Sequence, residues 1–219
     1  MEGPAGDVPE WLARLAEAAP AIPVPPAMRP PPASGRASAV LVLFGDGPDG
    51  PDLLIVQRSP WLRRHAGQAA FPGGAIEPGD DGPVGAALRE AAEEVGVDAA
   101  GVQVLAVLPE LFIARSGFAV TPVLGWWRHP APIIPAADGE VISAARVRLA
   151  DLADPGNRVT VRHPSGVAGP AFKVHGMLVW GFTAALVDRL LALAGWERPW
   201  DRGREEDLPP EVLGLPANG

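Results

Sequence analysis

The sequence predicts an α/β fold, a mixed β-sheet sandwiched between helices, and three observations carry the prediction. Segments rich in β-branched and apolar residues recur along the chain, and two helix-like stretches interrupt them. Apolar side chains make up 47% of 219 residues, enough to fill one ordinary core.

Residues 8–18, VPEWLARLAEA, set Trp11, Leu12 and Leu15 at helical spacing, which gives a short amphipathic helix. Its apolar residues suit either a homodimer contact or a cap on the domain. The run PAIPVPPAMRPPPAS then stops any helix and reads as a linker or a wrapped, extended arm. Residues 1–37 are therefore an N-terminal helix and proline-rich arm, and the main domain spans 38–195. It opens with strands at 39–44 and 53–58, joined by a Gly/Pro/Asp loop. A helix over 84–96 follows, then strands at 102–108, 118–127 and 140–149. Residues 178–195 are apolar on most faces and close on Gly195, which predicts a second, largely buried helix. From Trp196 charge alternates with proline, so 196–219 is a C-terminal tail, an ordered turn and then loose chain.

Charge and composition exclude several functions. A net charge of -8 argues against a nucleic-acid partner held by general electrostatic attraction. The absence of cysteine removes disulfides, thiol catalysis and thiolate-held metals, and the four histidines lack metal-ligand spacing. MEGPAGDVPE has no basic and apolar leader pattern, and the longest apolar run, 176–187, is too short to cross a bilayer. The expectation is a cytoplasmic protein without a membrane partner.

The chemistry concentrates in LREAAEEVG, residues 88–96. On a helix, Val84, Leu88, Ala91 and Val95 form a core-facing stripe, and Glu90, Glu93 and Glu94 gather on nearly the opposite arc. A solvated charged face usually pairs Glu with Lys or Arg four residues on, but Glu90 meets Glu94 there, a pairing that costs roughly 0.2 to 0.5 kcal/mol. All three acids also lie near the negative end of the helix dipole. A bound cation reverses both penalties, and ligands that are all oxygen select hard ions such as Mg²⁺ or Mn²⁺. Arg89 reaches Glu93 at i+4 and steadies it. Just upstream, Pro72, Gly73 and Gly74 form a tight turn poor in side chains, through which backbone can approach a ligand.

Gly74, an acidic residue at Asp80 or Asp81, and REAAEEVGV at 89–97 together resemble the signature of the Nudix hydrolases, which cleave nucleoside diphosphates linked to another group. Counting back seven residues from Arg89 puts Asp81 in the signature's acidic slot, with Asp replacing Glu and six residues rather than five after Gly74. The stretch LIVQRSPWLRRHAGQAAFPGG is similar to the added motif of the family's coenzyme A pyrophosphatase branch, met by Arg58, Ser59, Arg63, Gly67 and Phe71 to Gly74. The resemblance spans roughly 39–193.

The resemblance implies a Nudix-like α/β/α sandwich that hydrolyses coenzyme A or its thioesters with Mg²⁺ or Mn²⁺. It makes Glu90, Glu93 and Glu94 the catalytic and metal-binding residues, with Gly74 as a further metal contact through its carbonyl. Arg58, Arg63, Gly67, Phe71 and Gly73 become the substrate-binding set. Water is the nucleophile, with Glu93 as the first candidate for its base and Glu140 as a weaker one. The alternatives are a Nudix pyrophosphatase for ADP-ribose, dinucleotides or nucleoside triphosphates, and a silent nucleotide-binding module.

Overall fold

The computed structural model describes residues 7–29, 35–62, 66–114, 116–137 and 139–213. Helix α1 (Glu10–Ala18) leads into a mixed sheet built from β1 (Arg36–Gly47), β2 (Gly50–Arg58), β3 (Ala69–Ala70), β4 (Gly73–Ala75), β5 (Val102–Val107), β6 (Leu111–Ile113), β7 (Phe118–Trp127) and β8 (Val141–Arg148), with helix α2 (Gly82–Val95) between β4 and β5. Its central path runs β3-β2-β1-β7-β5, while β4 pairs with β1, β6 with β7 and β8 with β2. The β1 and β7 pair is parallel, with Val40 opposite Pro122 and Val42 opposite Leu124. Pro48 and Asp49 alone turn β1 into β2, so these strands extend well past the loop expected between them.

Alternation along β1 divides the core in two. Ala39, Leu41 and Leu43 point to the face covered by α2, where Ala87, Ala91 and Val95 meet them. Val42 and Phe44 point to the other, which α1 and a later helix cover with Leu12, Leu15, Leu186 and Leu190. The result is the α/β/α sandwich on a mixed sheet.

Helix α1 caps the domain. Leu12 and Leu15 are buried, each worth roughly 1.5 to 3 kcal/mol. Trp11 meets Phe44 edge-on at 5.5 Å and Trp196 at 5.9 Å.

Beyond β8 come α3 (Leu149–Ala153), β9 (Arg158–Arg162), β10 (Ala168–Val174), β11 (Met177–Val179), α4 (Gly181–Leu193) and β12 (Glu205–Asp207). Strands β9 to β12 form a second sheet that the sequence pattern hid, because Pro164, Gly166, Gly169 and Pro170 break its short runs. Met177–Val179 pairs with β10 in place of the helical turn expected there. The tail is not loose at 205–207, where β12 pairs in parallel with β9.

Candidate active site

Helix α2 is placed by its ends. Pro83 occupies its first turn, where a missing N–H costs nothing, and Gly96, at φ 73°, ends it in the left-handed conformation. The Gly96 N–H donates to the Ala92 carbonyl at 3.0 Å and the Val97 N–H to that of Ala91 at 3.2 Å. The helix lies on β1 with one flank against the turn at Pro72 to Gly74, which places the glutamates in three different environments.

Glu94 is not on a solvated arc: it is only 8% exposed. One carboxylate oxygen accepts from Arg58 Nη1 at 3.1 Å and the other from the Gly73 N–H at 3.1 Å. Burial pushes its carboxyl up to about 7, against the lowering effect of Arg58 and the Gly73 N–H. Glu90 faces Gly74 so closely that a Cβ there would lie 2.2 Å from its Oε1. Burial raises its carboxyl too, although Arg89 beside it works the other way. Glu93 is 60% exposed and accepts from Arg89 Nη1 at 2.9 Å. The core stripe differs accordingly: Ala86, Ala87, Ala91 and Val95 are buried, while Val84 and Leu88 are half-buried.

Arg89 organises the near side. Its Nε and Nη2 grip the Asp80 carboxylate at 2.8 and 3.1 Å, Nη2 reaches the Ala75 carbonyl at 3.1 Å, and Nη1 touches both Glu90 and Glu93. Asp80, not Asp81, is thus the acidic residue tied to Arg89. Asp81 sits at the N-cap of α2 without a side-chain capping bond. The extra residue after Gly74 falls before the helix, and of the two acids that the sequence offers for the slot, Asp80 is the one that Arg89 holds.

On the far side Arg58 bridges Glu94 to Glu140, with Nη2 3.6 Å from the Glu140 carboxylate, and the Ser59 N–H donates to the Glu140 carbonyl at 2.7 Å. The sequence assigns Arg58 to a substrate anion; in the structure two of its nitrogens face carboxylates. Its partnership with Glu94 spans 36 positions and leaves no local signal. Gly67, at φ 64°, stands apart from the glutamates: its N–H donates to the Ser59 carbonyl and its own carbonyl accepts from the Gln57 side chain, closing the loop after β2. Arg63 lies outside the described residues.

The glutamates supply an oxygen donor set of the kind that Mg²⁺ or Mn²⁺ takes. One of them, Glu94, is buried and another, Glu90, half-buried, and in both desolvation disfavours the charged carboxylate, which is what a cation would relieve. Among the described residues no three acidic or histidine side chains converge as a metal cluster, and Arg58 and Arg89 carry the counter-charge. A cavity of about 780 Å³ opens beside this cluster, with Arg58, Phe71, Gly73 and Gly74 in its wall.

Known proteins bear on the arrangement. A family model described as the NUDIX domain matches residues 35–163. The chain is 40% identical over 177 residues to the "uncharacterized Nudix hydrolase NudL" of Klebsiella pneumoniae subsp. pneumoniae, covering 75% of this chain and 85% of that protein. It is 37% identical over 167 residues to the protein of the same description from Escherichia coli O7:K1, covering 73% and 83%. Among solved structures, the Nudix hydrolase RenU of M. smegmatis aligns with a TM-score of 0.53 at 22% identity, over 76% of this chain and 90% of that one, a likeness of fold alone.

Proposed function

We propose a substrate from one premise: the chain belongs to the NUDIX family and is a Nudix hydrolase, an enzyme acting on a pyrophosphate substrate. The proposed reaction is hydrolysis of the pyrophosphate bond of coenzyme A or an acyl-CoA to 3′,5′-ADP and 4′-phosphopantetheine or its acyl form.

The observation that carries this reading is the convergence on Glu94 of the two ends of the Arg-Ser to Phe-Pro-Gly-Gly stretch. Arg58 and Gly73, 15 positions apart in sequence, donate to its two oxygens. The stretch that resembles the coenzyme A branch is therefore built into the glutamate site and the adjoining cavity.

In this reading Glu90, Glu93 and Glu94, with the Gly74 carbonyl, hold Mg²⁺ or Mn²⁺. The metal supplies charge neutralisation on the two phosphoryl groups. Water attacks one phosphorus in line, the bridging P–O bond breaks, and a carboxylate takes the water's proton. Glu93, the most exposed of the three, is the first candidate for that base. Arg58 holds Glu94 in place, Arg63 contacts a substrate anion, and Phe71 and Gly73 shape the wall. A cytoplasmic setting fits a cysteine-free chain, and no helix among the described residues is long and apolar enough to cross a membrane.

The test is metal-dependent turnover of coenzyme A beside ADP-ribose, NADH and dNTPs, with products followed by mass. Release of 3′,5′-ADP in preference to all others is expected. A preference for another diphosphate would overturn the substrate and leave the family intact.

A further inference from the structure

We propose that the same cavity contains a subsite for the acyl-pantetheine arm, and that its selectivity is set by residues beyond the segment matched by the family model. The inference rests on the coenzyme A reading above. The wall opposite in origin to Arg58, Gly73 and Gly74 is made by Trp180, Phe182 and Thr183 at the start of α4 and by Val212 and Leu213 near the end of the described chain. All five lie past residue 163, where the NUDIX match ends.

Three properties of the wall define its ligand. At about 780 Å³ the cavity is in the range that holds a small organic ligand. Among the described residues it is lined by no carboxylate and by one cation, Arg58, whose Nη atoms already face Glu94 and Glu140. A second nucleotide would bring phosphate and ribose groups, which lose solvation without finding charged partners on this wall. The methylenes of an acyl chain have no such solvation to lose, and Thr183, 6% exposed, is a hydroxyl-bearing residue of the wall that suits the polar groups of the arm.

The wall is also firmly backed. Val212 and Leu213 pack on Val159, Val161, Ala171 and Leu208, the core of the second sheet. Phe182 packs against the main core. Continuity favours the occupant: Gly73 and Gly74 share this cavity with Trp180, Phe182, Val212 and Leu213, so a molecule whose pyrophosphate reaches the two glycines can run one of its two halves, the less polar one, along this wall.

The experiment is a chain-length series, comparing kcat/KM for coenzyme A and its acetyl, butyryl and hexanoyl thioesters in the wild type, Leu213→Glu and Phe182→Glu. Wild-type kcat/KM should rise about fourfold per added methylene, the equivalent of ~0.8 kcal/mol of apolar burial. In each variant the rise should fall below about twofold, because a carboxylate now borders the chain. Circular dichroism checks folding, and if both variants fail to fold, the wild-type series decides by itself. Turnover of coenzyme A with no dependence on chain length overturns the subsite and spares the substrate proposal. Cleavage of other diphosphates but of no coenzyme A species overturns that proposal, and the subsite falls with it.

Discussion

Arg89 grips Asp80 with two nitrogens of its guanidinium, Nε at 2.8 Å and Nη2 at 3.1 Å, while its third nitrogen touches Glu90 and Glu93. The fork thus fixes the chain entering α2 to the two glutamates on its outer turns. A lysine cannot reproduce it, because an ammonium is a point charge without planar geometry. Arg89→Lys should lower kcat by about 10- to 100-fold, the usual cost of losing a group that orients ligands. Asp80→Asn should lower Tm clearly more than Asp81→Asn, since only Asp80 has this partner; equal effects in thermal melts would refute the pairing.

The same fork predicts an acid-side signature. The Arg89 hydrogen bonds hold the Asp80 carboxyl below its usual value of 3.8 in the folded protein. A depressed carboxyl contributes stability above the unfolded pKa and loses it as pH falls through the folded one. Unfolding free energy measured from pH 6 down toward 2 should therefore fall more steeply in the wild type than in Asp80→Asn. Parallel curves would show that Asp80 is not protected.

How the glutamates share their work separates by exposure. Glu93→Gln should lower kcat by about 10²- to 10⁴-fold if Glu93 takes the water's proton, with KM little changed. Full turnover would pass that role to Glu140, which the structure places on the other side of Arg58.

Much of this was legible in the residues, and the illegible part has physical reasons. The strand at Phe118–Trp127 matches its prediction end to end, because its apolar run is uninterrupted by charged residues and bounded by turns. The crowding of Glu90, Glu93 and Glu94 pointed to an unusual helix, and the pairing of Arg89 with Glu93 followed from i+4 geometry. Periodicity could not show that Glu94 is buried, since burial comes from the turn at Gly73 folding over that flank of α2. Nor could it place Trp180 and Leu213 on one cavity wall, which requires the second sheet.

Two neighbouring glycines should fail in different ways. A Cβ on Gly73 would lie 2.3 Å from the Ala39 carbonyl oxygen, a backbone atom held in the β1 and β4 pairing. Gly73→Ala should therefore show its damage as a lowered Tm. The three atoms nearest a Cβ on Gly74 all belong to the movable end of Glu90, which must retreat by on the order of 1 Å, enough to cost on the order of 10²-fold in rate when a reacting constellation is displaced. Gly74→Ala should stay folded and lose turnover. Reversed outcomes would mean that Glu90 is not set by Gly74.

The C-terminal segment that leads to Val212 and Leu213 is anchored at Trp200 by an arginine far from the chemistry. Arg158 is fully buried, stacked between Phe172 at 4.9 Å and Trp200 at 4.4 Å and paired with Asp188, so it ties the C-terminal segment to β10 and α4. Arg202 lies over the same Trp200 ring at 4.8 Å. Two of the Arg158 nitrogens, Nε and Nη1, have no hydrogen-bond partner, so its charge is poorly compensated. A buried ion pair of this kind adds little over a well-packed apolar residue, whereas removing one partner costs about 3 to 5 kcal/mol. Asp188→Ala, which strands the buried cation, should therefore lower stability by about that amount, and Arg158→Met, which keeps the volume between the rings and leaves Asp188 near Arg202, should be close to neutral. Urea midpoints at constant m-value distinguish the two. A large loss in Arg158→Met with none in Asp188→Ala would mean that the charge on the guanidinium, and not its packing, secures the segment.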